Sequence, residues 1–274
     1  MKRTCLALRL GGVLLLARAA PAAAQTTAPP AAAYTGPRFP GGPDSLRALV
    51  DRSTRLATPA PTGRMLVQFE LKADGQPYNF SMVRPPDPLN RPLVDATTAA
   101  LNYLEAHMPA WQPAPPDPTA DPTNQVPKLG LALTFDSPPT ARPYEYADQN
   151  PVFATMGTVL QSRHSRYFDR ILADPAQLAQ FQSSSRGLVT MIQLLVMYPP
   201  EALRGRQQGT VYAYFEVAEN GAIEHPEILG TAGRALDTEV LRALTKLPAA
   251  TTPARLQARP VRVSYVVPVN FRMQ

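Results

Sequence analysis

Cysteine is nearly absent from the 274-residue sequence, where Cys5 stands alone. No disulfide can brace the fold and no paired-thiol chemistry is available. Histidine is scarce too: His107, His164 and His225 are isolated from one another. Glu105 and His107 lie two apart on a helical segment and so do not share a face. Glu224-His225-Pro226-Glu227 has no second histidine at ligand spacing, which argues against a metal centre. No glycine-flanked serine elbow occurs, Ser183-Ser184-Ser185 has no base beside it, and Gly11-Gly12 and Gly41-Gly42 match no phosphate-cradling loop. The sequence therefore offers no residue set for an enzyme and none for a cofactor. It also lacks a membrane span. Arg9 and Arg18 bracket a charge-free run of only about eight residues, and Leu188 to Met197 gives about ten, against the ~20 a spanning helix needs.

What stands at the N-terminus is a basic start (Lys2, Arg3), an apolar centre from Leu10 to Ala17, and small residues Ala22-Ala23-Ala24 before Gln25. That is the order of a secretory signal peptide, and it predicts export to a periplasm with cleavage after Ala24. Left uncleaved, the segment would instead be an inner-membrane anchor. Cys5 precedes the apolar centre and is badly placed for lipid attachment. Cleavage would remove Cys5 and four basic residues, which takes the net charge from +6 to about +2. The basic whole-chain balance then gives no support to nucleic-acid binding. Residues 25–37 are mostly Ala, Pro and Thr, the composition of a tether.

The rest of the chain is built on alternation. Met65, Val67, Phe69 and Leu71 alternate with polar residues up to an Asp74-Gly75 turn, and Tyr78, Phe80 and Met82 return. An earlier helix is expected from an Asp44 N-cap to about Leu56. A second, from about Leu93 to Met108, shows Val94, Thr98, Leu101, Leu104 and Met108 near a 3.6-residue spacing. After a Pro-rich loop holding Trp111, whose indole is expected to plug a small core, Leu129 to Phe135 forms a third strand. The polar connection from Asp136 to Asn150 leads to helical sequence from Phe153 to Met197. There Asp174-Pro175 reads as a cap and first helical residue, and Leu188 to Met197, apolar all round, reads as a buried helix. The pattern then recurs: a strand from Val211 to Val217, an Asn220-Gly221 turn, and a return strand in which Pro226 marks a bulge or a free edge. An Asp237-capped helix follows, with Leu236, Val240, Leu241, Leu244 and Leu247 on its stripe. In the terminal strand Val261, Val263, Tyr265, Val267, Val269 and Phe271 share one face, and the mostly polar even positions suit a wetter one. Pro268 cannot donate a ladder hydrogen bond, which predicts a sheet edge.

Gly63, Phe69, Glu70 and Gly75 correspond to Gly209, Phe215, Glu216 and Gly221 at one constant offset, and Phe135 answers Phe271. This order of elements and turns indicates an internal duplication. The fold class expected is α+β: two modules, each a three-stranded antiparallel sheet (β-β-α-β) with a helix on one face, and an extra helical segment between them. The expected boundaries are 1–24 signal peptide, 25–37 tether, 38–136 first module, 137–150 linker, 151–197 helical lead-in and 198–274 second module.

Both halves resemble the C-terminal domain of the TonB energy-transducer family, the first more divergently. In the second the resemblance rests on Tyr198-Pro199 with Ala202, Gly209 to Val217, Asn220-Gly221, Leu236-Asp237 through Leu244, Leu247-Pro248, and Pro260 to Phe271. In the first it rests on Phe39-Pro-Gly-Gly42, Gly63, Phe69, Asp74-Gly75 and Met108 to Pro113. Thr58-Pro59 stands where the Tyr-Pro pair would be. The resemblance implies a non-enzymatic protein that captures an extended segment of an outer-membrane TonB-dependent receptor by adding it to the last strand. The expected contacts are Tyr198, Pro199 and the strand residues Arg262, Val263, Ser264, Tyr265, Val266 and Val267. The alternative is an envelope adaptor whose modules pair with each other, with other envelope proteins, or in a homodimer, the edge being covered rather than used.

Overall fold

Among the described residues, regular alternation yields six long strands in two antiparallel sheets. The computed structural model describes residues 33–57, 61–86, 90–114, 128–135, 142–153, 156–161 and 165–273. The expected signal peptide, the tether to residue 32, Thr58-Pro59 and His164 lie outside these. Among the described residues no helix is long and apolar enough to cross a membrane.

The first sheet unit comprises α1 (Gly42–Thr54), β1 (Gly63–Leu71), β2 (Pro77–Met82), α2 (Arg91–His107) and β3 (Leu129–Phe135), with strand order β2-β1-β3. Asp44 is not the N-cap of α1. Gly41, in the left-handed region at φ 77°, takes that place, Pro43 occupies the first turn, and Asp44 lies inside the helix. The buried face of α2 is also rotated from the one the large apolar residues mark. Leu93, Ala96, Thr97, Ala100 and Leu104 face inward, whereas Thr98 is exposed and Val94 and Leu101 are half-buried. Small residues let the helix sit close to the sheet, a preference that counting large side chains passes over. Trp111 is buried against Phe39 and Phe69, a core plug.

Four helices follow: α3 (Met156–Gln161), α4 (Arg166–Ala173), α5 (Pro175–Gln182) and α6 (Ser185–Leu195). Asp174 caps α5 by accepting from the amides of Ala176 and Gln177. The second sheet unit comprises α7 (Pro200–Arg204), β4 (Gly209–Val217), β5 (Ile223–Gly230), α8 (Arg234–Leu244), the short β6 (Arg255–Leu256) and β7 (Arg259–Pro260), and β8 (Val263–Phe271). Its strand order is β5-β4-β8. The lead-in helices join this unit: Phe153, Met156, Phe181, Leu188, Met191 and Ile192 share one core with α8, β4 and β8. The buried-helix expectation for Leu188 to Met197 holds for one face only. Val189 and Leu194 are half-buried and Met197 is 67% exposed, because nothing among the described residues covers the outer side of α6. Asp237 does not cap α8, which starts after Gly233; it reaches back to accept from Thr231 Oγ1 (2.6 Å) and the Ala232 amide (3.4 Å).

The two sheets match in detail. Each has the same strand order, and each has a register shift opposite Phe69 or Phe215, where Asn79 (φ 55°) and His225 (φ 53°) adopt the left-handed conformation. Pro226 lies in the second of these bulges. At the hairpin turns, Trp111 N–H donates to Gly75 O (2.9 Å) and Ala250 N–H to Gly221 O (2.8 Å).

The sheets pack face to face through the sides turned away from the helices. Leu66, Ala132, Tyr214 and Leu229 are buried there, with Val83, Tyr212 and Val266 packed around them. The order of layers is helix, sheet, sheet, helix. This corrects the expectation of a wet face for part of the terminal strand: Ser264 is buried and Val266 is half-buried against the other sheet, whereas Pro268, Asn270 and Arg272 are exposed as expected.

Candidate functional site

Strand β8 lies at a sheet edge, with β4 on one side. Its odd residues Val263, Val267, Val269 and Phe271 are buried in the second core, and Tyr265 stacks on Phe215 at 5.7 Å between ring centres. The hydrogen bonds at the outer edge fix which backbone groups face away from β4. Tyr144 N–H donates to Arg262 O (2.9 Å), and Ser264 N–H donates to Tyr144 O (2.9 Å), a parallel bridge centred on Val263. At the other end the Gln193 side-chain amide donates to Asn270 O (3.1 Å) and accepts from Asn270 N–H (3.3 Å). Arg262, Ser264 and Asn270 therefore present their backbone groups outward, and by the period of two so do Val266 and Pro268. Pro268 has no N–H, which leaves the Val266 amide as the donor between the two covered ends.

Of the eight contacts expected on sequence grounds, Arg262 to Val267 are thus contiguous along one edge. Tyr198 and Pro199 stand apart from them near the strand's far end. The Tyr198 ring meets Phe271 edge-on at 5.5 Å, its hydroxyl donates to Gln207 O, and Pro199 is the N-cap residue of α7.

Four residues at or beside the edge were not among the contacts expected from the sequence: Tyr144, Glu145, Gln193 and Glu216. The described part of the polar connection, residues 142–150, is in fact a strap. Arg142 pairs with Asp51 (3.3 Å) and donates to Thr54 Oγ1 (2.7 Å) on α1. Tyr144 lies under the Arg47 guanidinium at 4.0 Å and donates its hydroxyl to Asp44 (2.8 Å). Tyr146 is buried in the first core, stacks on Tyr34 and accepts from the Phe39 amide (3.0 Å). Farther on, Gln149 bridges to Ala33 and Arg255, and Val152 to Thr252. Three tyrosines (34, 144, 146) in otherwise polar or small-residue stretches were the available clue.

Glu216 is the electrostatic hub between the sheets. Its carboxylate, 5% exposed, accepts from Tyr214 Oη (2.7 Å) and Arg262 (2.9 Å) and lies 3.1 Å from His225 Nδ1 and 3.5 Å from Arg64. Arg64 also stacks over the Tyr214 ring at 3.9 Å and pairs with Glu227. Burial pushes the Glu216 carboxyl up, but the bonds from Tyr214 and Arg262 and the nearby His225 outweigh it, and the net shift is downward. A cleft of about 570 Å³ opens beside this hub, and Arg47, Arg64, Arg142 and Arg262 line it. Each guanidinium already faces a carboxylate, of Asp44, Glu227, Asp51 and Glu224 respectively. The cleft is therefore charge-balanced rather than poised for an anion. Among the described residues no cluster of His, Cys, Asp or Glu is placed to hold a metal ion.

Glu145 gives the strap a pH dependence. Its carboxyl accepts from Ser264 Oγ (3.2 Å), and burial pushes it up from 4.5 to about 7; the Ser264 bond and Arg64 oppose the shift and Glu216 adds to it. A raised carboxyl pKa means the docked strap binds the proton more tightly than the released one. Docking is then strongest below about pH 4.5 and weakens progressively up to about pH 7. The expected result is that protection of the Ser264 amide, corrected for intrinsic exchange, falls across that interval in hydrogen-exchange measurements. Glu145→Gln should flatten the profile.

With this geometry in place, the comparison with known families has one clear outcome. Residues 196–273 match the family model for the Gram-negative bacterial TonB protein C-terminal. The matched stretch starts just before Tyr198 and takes in α7, β4, β5, α8 and β8, so it coincides with the second sheet unit. The first unit lies outside it. No curated protein and no solved structure matches the chain.

Proposed function

We propose that this is a periplasmic, non-enzymatic TonB-like protein. It binds extended segments of outer-membrane receptors by strand addition at β8, in support of TonB-dependent transport. The observation that carries the reading is the coincidence of the family match with an edge strand whose Val266 amide faces outward without a partner among the described residues. Strand addition draws its affinity from such backbone groups. Tyr198 and Pro199 are assigned as flanking contacts, the first unit as a divergent second copy of the same module, and residues 1–24 as a cleaved export signal.

A single substitution tests the edge. Val266→Pro removes the one outward donor of β8 left uncovered among the described residues while leaving the bonds to β4, which come from the odd residues; proline is tolerated on the open side of an edge strand. Titration calorimetry with a panel of synthetic N-terminal peptides from outer-membrane receptors should show binding to the native chain. The variant should bind at least about tenfold more weakly, with an unchanged melting temperature. Equal binding by both would sink the strand-addition reading.

A second reading is favoured by the face-to-face packing of the sheets and by the partly covered β8 edge. Here the protein is an envelope adaptor, without energy coupling, whose modules pair with each other. It predicts no peptide binding by either form.

A further inference from the structure

The strap that covers β8 has the form of an internal partner. Tyr144 uses its own N–H and C=O to bond Arg262 O and Ser264 N–H, as an added strand would, and the next residue, Glu145, places its carboxyl on the Ser264 hydroxyl. Both ends of this short piece are fixed in the first sheet unit, not the second. Arg142 is held by Asp51 and Thr54 of α1, and Tyr146 sits in the core that contains Phe39, Phe69 and Trp111. The Tyr144 ring, too, is held by α1 residues, Arg47 and Asp44. One unit thus reaches across and fills the edge of the other.

Resting on the function proposed above, we infer that residues 142–146 are a displaceable occupant of the β8 edge. The protein is closed at rest, and an extended partner gains Ser264 and Val266 together only when Tyr144 leaves. The occlusion is partial, since Val266 stays outward-facing between Tyr144 and Gln193. A partner therefore starts at Val266 and replaces the strap toward Arg262. Beyond Tyr146 the chain passes to the second unit, where Ala147 joins its core and Gln149 bridges Arg255, so the displaceable piece ends at Tyr146.

Two variants and two readouts test this on the full-length chain. Tyr144→Pro deletes the N–H that Arg262 O accepts; Tyr144→Ala keeps the backbone but removes the ring from Arg47 and Asp44, and serves if the proline variant does not fold. The expected result is that exchange of the Ser264 amide rises at least tenfold in either variant while the Phe215 amide on β4 stays protected. The receptor-peptide panel should then bind at least fivefold more tightly than to the native chain. Unchanged Ser264 exchange would show that the strap does not hold the edge, and would overturn the inference. Faster exchange with unchanged peptide affinity would overturn the competition alone and leave the peptide-binding reading standing. A freed Ser264 amide with no peptide binding by any form would overturn both.

Discussion

Replacing Glu216 with alanine is expected to destabilise the folded chain by roughly 2–3 kcal/mol, because it strands a buried hydroxyl donor and removes the shared counter-charge between two guanidinium groups that each keep one outer carboxylate. The carboxylate is nearly inaccessible, and its loss would strand the Tyr214 hydroxyl and remove the closest counter-charge that Arg262 has in the interior. Arg64 keeps Glu227 and Arg262 keeps Glu224, both half-exposed, so the loss is concentrated at the sheet–sheet contact rather than spread over the surface. Urea unfolding followed by circular dichroism should show the drop. Glu216→Gln, which still accepts from Tyr214, should show a smaller one. The sign with pH follows from the lowered carboxyl: the contribution of Glu216 is complete above its unfolded value of 4.5 and is lost as pH falls through the lower folded value. Glu145 runs the other way. The sheet contact and the strap therefore respond oppositely to acid.

The second large effect is expected at the hairpin turns. Gly75 (φ 84°) and Gly221 (φ 85°) adopt the left-handed conformation, and each is hydrogen-bonded to the chain returning from its helix. A Cβ on Gly75 would stand 1.8 Å from Trp111 O, and one on Gly221 2.2 Å from Ala250 O. Both obstacles are backbone, so the clash is relieved only by moving the segment after the helix and giving up its bond to the turn. Left-handed strain of about 1–2 kcal/mol and a lost hydrogen bond of about 1 kcal/mol put Gly221→Ala at roughly 2–3 kcal/mol or more. Gly75→Ala should cost at least as much, since the displaced residue is Trp111, the plug of the first core. Denaturant titration of the two variants, with tryptophan fluorescence reporting the first unit, separates the effects. A native-like fluorescence transition for Gly75→Ala would show that the turn tolerates the side chain.

Period-two alternation made the strands legible, with Asp74-Gly75 and Asn220-Gly221 marking the hairpins. The edge position of β8 followed from Pro268. What alternation does not carry is the identity of what covers the second face. Arg64, Glu216, Ser264 and Arg262 have the composition of a solvated surface, yet their charges neutralise one another across two stacked sheets. An acidic residue in the apolar run of β4 was the local hint, and it became legible only with Arg64 and Tyr214 placed beside it. Helix ends misled for a related reason. Asp44 and Asp237 are good capping residues, but Gly41 (φ 77°) and Gly233 (φ 128°), both at positive φ, end the preceding chain first, and the aspartates fall within the first turn. The strap was least legible of all. Tyr144 binds β8 through main-chain atoms, and backbone pairing leaves almost no trace in side-chain pattern.

The claim that matters most is that β8 receives an extended partner. Backbone amide resonances of the isotopically labelled chain, followed while receptor N-terminal peptides are added, test it most directly. Shifts at Ser264 to Val267, largest at Val266, are the predicted result. Shifts confined to other elements, or none across the panel, would contradict it.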